Sequence, residues 1–138
     1  MGALLGVPEW LALGDFVLGA LGLWLGLGAW LLRRAHRRVA ARRPNPTEAE
    51  TLDMMARDTS PEAARFVWTQ ALRYVEPQLT PHPDDDLIKD LCIDDDDLGM
   101  DWPQEWADQR GFSMQALPEW PKDWTPTVRN YARWLDLA

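Results

Sequence analysis

The sequence predicts an all-α protein, with one N-terminal transmembrane helix followed by a small, acidic helical-bundle domain. Three observations predict it. Residues 11–32 read LALGDFVLGALGLWLGLGAWLL, with Asp15 as the single charge. From Thr47 onward, apolar residues recur at helical spacing between capping residues and prolines, and no stretch alternates as a strand does. Six of the nine tryptophans lie in this second part. Each can bury roughly 150–250 Å², enough to give so short a domain a core of its own.

Residues 1–32 form the anchor. A helix over the 22 residues 11–32 would reach about 33 Å, enough to cross a bilayer's hydrocarbon core. Trp10 and Trp30 stand near its ends, where indoles favour the membrane interface. The basic run RRAHRRVAARR follows at once, bringing Arg33, Arg34, Arg37, Arg38, Arg42 and Arg43. A cleavable signal would carry its basic residues before the apolar run. Positive residues stay on the cytoplasmic side. The expectation is a single-pass protein of the bacterial inner membrane, N-terminus outside and C-terminal domain cytoplasmic. The arginines would also be drawn to anionic headgroups. Gly19, Gly22 and Gly26 share one face of the helix, which suits close helix packing and self-association. Residues 33–46 read as a basic juxtamembrane segment closed by the stiff linker Pro44-Asn45-Pro46.

The cytosolic domain spans residues 47–138. Thr47 and Glu50 have the spacing of a capping box, and a helix over Glu48–Arg57 turns Leu52 and Met55 inward. Ser60-Pro61-Glu62 opens a second helix, with Phe66, Val67, Ala71, Tyr74 and Val75 on its inner face, ending near Pro77. Gln78–Pro83 is a loop. Asp84, Asp85 and Asp86 read as caps ahead of one apolar turn carrying Leu87, Ile88 and Leu91. Pro103 is tolerated only in a first turn, so the next helix is expected to start at Asp101 or Trp102 and to stop at Gly111. Phe112–Trp124 is irregular. Thr125-Pro126 opens the last helix, with Val128, Tyr131, Ala132 and Leu135 inward.

Charge narrows the function. The net −8 conceals a split: residues 1–43 hold six arginines against Glu9 and Asp15, and residues 44–138 hold eight basic against twenty acidic residues. Nucleic acid is excluded as a partner, because phosphate binding needs clustered Lys and Arg. The expected partners are the lipid bilayer and a basic protein. Asp94, Asp95, Asp96, Asp97 and Asp101 would steer that protein, and Trp102 and Trp106 would anchor it. No phosphate loop, nucleophile elbow or HExxH motif is present. Cys92, the single cysteine, can form no intrachain disulfide, and His36 and His82 do not make a metal set. The expected function is therefore a membrane-anchored, non-catalytic protein-binding module, an adaptor or an immunity-type protein, without cofactor or metal. A calcium-responsive domain is one alternative. Asp94, Asp96, Gly99 and Glu105 fit a calcium-binding EF-hand loop, but Leu98, Asp101 and Pro103 stand where it wants other residues.

A further alternative comes from a resemblance. Asp90-Leu91-Cys92-Ile93-Asp94-Asp95-Asp96-Asp97 resembles the Asp-Leu-Gly-Ile-x-Gly-Asp-Asp core of a bacterial acyl-carrier-protein-like domain family of unknown function, over about residues 61–117. The resemblance implies a small helical bundle and a degenerate carrier-like domain that binds an acyl or cofactor ligand. Asp95 stands where a carrier protein has its modified serine, and neither Ser60 nor Ser113 follows an Asp. Phosphopantetheine attachment is thus not expected.

Overall fold

The computed structural model describes residues 9–75, 77 and 79–138. The outward-facing N-terminal segment expected over residues 1–8 lies outside that set, as does Gln78 at the start of the expected loop. The described residues form five α-helices: α1 (Glu9–Arg42), α2 (Glu48–Met55), α3 (Pro61–Val75), α4 (Trp102–Arg110) and α5 (Val128–Leu135). No strand occurs among them; a single isolated bridge joins Asp86 to Thr127.

The chain divides into two compact units, one ending at Arg34 and one beginning at Ala35. The first is apolar helix. Its side chains are exposed along its length, Leu23 at 78% and Trp24 at 73%. By length and composition it is able to cross a membrane. Gly19, Gly22 and Gly26 have nothing within 4 Å of their Cβ positions.

The second unit starts earlier than the linker reading implied. α1 continues to Arg42, and its last turns belong to the folded unit because His36 and Val39 are buried there. The His36 Nε2–H donates to the Leu91 carbonyl at 3.1 Å. Pro46 is buried as well. Residues 35–46 are therefore part of the domain, and no linker separates them from it.

Local signals place the next helices. Thr47 caps α2, its hydroxyl accepting from Glu50 N–H at 3.2 Å. The Ser60 hydroxyl accepts from Ala63 N–H at the head of α3, and Ser60 itself donates to the Asp136 carboxylate. α3 packs on α2 and α5 and contributes Ala63, Ala64, Val67, Ala71 and Val75 to the core. The fully buried Val67 and Val75 each contribute about 1.5–3 kcal/mol.

α5 begins two residues later than Thr125-Pro126 suggested. Thr127 is its cap, accepting from Asn130 N–H at 3.1 Å. Pro126 is occupied otherwise, its carbonyl accepting from Leu87 N–H at 2.8 Å. Val128 N–H and Arg129 N–H donate back to Asp85 and Pro83. The loop before the acidic turn is thereby stitched to the start of α5.

The helix that holds Pro103 is preceded by an unexpected turn. α4 starts at Trp102 with Asp101 before it, as expected, but helical backbone already runs from Asp95 and passes through a π-helical turn over Asp97–Asp101 before α4. Trp102 N–H reaches back to the Asp97 carbonyl. In the same i→i−5 pattern the Leu98 carbonyl would bond to residue 103, and proline has no N–H. The Tyr131 hydroxyl donates to that carbonyl instead, at 2.6 Å. The proline is accommodated inside the helix because another helix satisfies the group it leaves open.

Candidate functional site

The two acidic clusters turn out to be used differently. In the first, Asp86 and Asp90 close one turn between them. Asp86 Oδ1 accepts from Ile88 and Lys89 N–H, and Asp90 Oδ2 accepts from Asp86 N–H. This is the capping role expected for Asp86. Asp85 departs from it, being buried against Arg43. The guanidinium donates to both of its oxygens, at 2.8 and 2.5 Å, with side-chain exposures of 14% and 5%. Arg42 pairs with Asp90 at 3.0 Å. Two of the six arginines assigned to a membrane-proximal role are thus engaged within the domain. Arg37 and Arg38 are exposed, as are Arg33 and Arg34 in the first unit. Arg34 lies over the Trp30 ring.

The second cluster starts a helix. Asp94 Oδ1 accepts from Asp96 N–H at 3.0 Å, as a cap does, and Asp95 is the first helical residue. Acidic residues in a first turn are favoured by the partial positive charge of the helix start. This offsets part of the repulsion among Asp94–Asp97. Asp97 is half-buried and accepts from the Tyr74 hydroxyl at 2.7 Å. The carboxyl of Asp101 is held above the usual carboxylate range, chiefly because its protonated form hydrogen-bonds Asp97. Asp94, Asp95, Asp96 and Asp101 are exposed. Among the described residues, none of these five has an ion-pair partner.

The tryptophans expected beside them are elsewhere. Trp102 and Trp106 are 2% and 4% exposed. Trp102 meets Tyr131 edge-on at 5.4 Å, and Trp106 packs on Phe66 at 5.2 Å. Both belong to the core and not to a partner-facing surface. Helical spacing brings Trp102 and Trp106 to one face, and that face is covered by α3 and α5.

Near these acids lies Trp120, half-buried, which sequence reasoning placed in an irregular segment. Trp120, Tyr131 and Trp134 pack mutually, with ring centres 5.4–5.9 Å apart. With Leu98 they line a cavity of about 340 Å³ that Asp95 and Glu119 border. The Trp134 indole N–H donates to the Pro118 carbonyl at 2.9 Å, which fixes the irregular segment beside the π turn. The sequence signal was present in the Trp120-x₃-Trp124 spacing and the acidic Glu119, but nothing local joins them to Asp95.

The stretch Asp94–Glu105 is helical from Asp95, so its carboxylates do not converge as they do in a calcium-binding loop. No group of three or more metal-ligating side chains occurs among the described residues. Comparisons with family models, with curated proteins and with solved structures gave no match.

Proposed function

We propose that the chain is a single-pass protein of the bacterial inner membrane, N-terminus outside, whose acidic cytoplasmic domain binds a basic protein partner without catalysis. The observation that carries this reading is the distribution of ion pairs. Arg42, Arg43, Arg65 and Arg129 pair with Asp90, Asp85, Glu48, Asp58 and Asp84. None of the described cations pairs with Asp94–Asp97 or Asp101. A field of uncompensated carboxylates attracts a basic surface and speeds its association. The exposed apolar helix needs a non-aqueous covering, and lipid supplies it. The arginines that follow support the orientation.

The test is capture of partners by the full, detergent-solubilised chain, with identification by mass spectrometry. A basic protein should be retained and should be lost when Asp94, Asp95, Asp96 and Asp97 are each changed to Lys. Retention of every partner by that variant would sink the reading.

A second reading, the degenerate carrier-like domain, draws on one observation. Cys92 stands at the glycine of the resembled motif and has a positive φ of 59°, the region glycine favours. An acyl chain or cofactor co-purifying in the same preparation would favour it.

A further inference from the structure

We infer that the groove between the π turn and the Pro118–Trp120 segment receives a cationic side chain, Arg or Lys, from a basic protein segment. This inference rests on the protein-binding reading and assigns it a site. The groove is lined by the half-buried Trp120 and by Tyr131 and Trp134, which are largely buried, with Leu98 beside them. Asp95 and Glu119 stand at its border, both exposed. Among the described residues neither carboxylate has an ion-pair partner.

The lining selects the ligand's charge. Aromatic faces attract cations, and carboxylates at the rim add charge-assisted hydrogen bonds to a guanidinium or ammonium. An anion would meet two like charges. A purely apolar group would strip water from the carboxylates and return nothing. The domain already uses this pairing internally. Arg133 lies over the Trp124 ring at 4.2 Å and Arg110 over Trp106 at 4.7 Å. No described cation lies over Trp120.

The other groove near α4 does not have this character. It runs between α3 and α4, has a volume of about 410 Å³, and is lined by charges of both signs, with Arg65, Arg73 and Arg110 facing Glu62 and Glu105. Gln70 already donates to Glu105. That groove selects no charge. The Trp120 groove does, and it lies in continuity with the uncompensated Asp94–Asp97 turn through Asp95.

The experiment uses the full ¹⁵N-labelled chain in mild detergent and the probe peptide acetyl-Ser-Arg-Ser-Arg-Ser-amide. Its control is the same peptide with citrulline, which is neutral and nearly the same shape, in place of arginine. Saturable shifts confined to the Trp120 and Trp134 indole N–H resonances are expected with the arginine peptide and not with the control. Affinity should fall about tenfold in Trp120→Leu and in the double variant Asp95→Asn/Glu119→Gln, and stay unchanged in Glu62→Gln. Equal shifts with citrulline, equal affinity in the double variant, or shifts spread over every acidic face would overturn the proposal. Partner capture separates it from the broader reading. A partner kept by the double variant but lost on reversal of Asp94–Asp97 removes the groove and leaves protein binding standing. Absence of any partner, with the saturable citrulline-sensitive shift intact, supports the groove and removes the reading of a protein partner already present in the cell.

Discussion

Cys92 is a non-glycine residue in left-handed backbone, with φ 59°. That conformation costs an L-residue about 1–2 kcal/mol, and glycine adopts it freely. Cys92→Gly is therefore expected to stabilise the domain by about 1 kcal/mol, read as a higher midpoint in thermal unfolding followed by near-UV circular dichroism. An unchanged or lower midpoint would mean that the thiol's contacts outweigh the backbone strain. Asp101 offers a test in pH. Hydrogen bonding of its protonated form to Asp97, then lost hydration and the charges of Asp97 and Asp96, raise its carboxyl above the ordinary value. The folded chain keeps this proton to higher pH than the unfolded chain does. Stability is thus lost as pH rises through the window between the two values, and recovered in acid. Asp101→Asn should raise the unfolding midpoint at neutral pH and give no gain below the carboxylate range. A constant difference across pH would refute the shared proton.

At the scale of elements, the π turn shows how one residue's chemistry is answered by a different helix. Pro103 removes an N–H, the Leu98 carbonyl loses its in-helix partner, and Tyr131 of α5 supplies a hydroxyl. Burial raises the Tyr131 phenol's pKa, so it remains a donor through the physiological range. Tyr131→Phe keeps the ring contacts with Trp102 and Trp134 and removes only the donor. It is expected to cost about 1–3 kcal/mol, the penalty of a buried carbonyl left unpaired. Hydrogen exchange should show the loss concentrated over residues 97–102. A uniform loss, or none, would mean that water or a shifted helix satisfies Leu98. The Arg43–Asp85 pair does comparable work where it holds the turn after α1 against the loop that is stitched to α5.

The whole molecule couples an exposed apolar helix to a folded domain that takes in the last turns of that same helix. The proposed orientation makes a direct prediction through the one cysteine. Cys92 is free and exposed, although burial and then the charge of Asp90 raise its thiol's pKa and slow its reaction. A membrane-impermeant maleimide applied at mildly alkaline pH should label it only after the cells are opened. Labelling in intact spheroplasts would place the domain outside and reverse the orientation.

Much of the architecture was legible in the chain itself. The apolar run of α1, the caps at Thr47 and Ser60, and the stop at Gly111 with φ 76° are local matters. They depend on hydrogen bonds and side-chain spacing within a few residues, which one stretch of sequence contains. The site was legible only in part. Charge counting picked out Asp94–Asp97, of which Asp94, Asp95 and Asp96 are exposed and Asp97 is half-buried, yet it also paired them with Trp102 and Trp106, which are core. Helical periodicity says which residues share a face, not what covers it. That Arg43 finds Asp85 across 42 residues, that Asp95 and Trp120 border one groove, and that Tyr131 repairs the helix around Pro103 were decided by the tertiary structure alone. Burial and electrostatic pairing depend on distances between remote segments, and those distances exist only once the chain has packed.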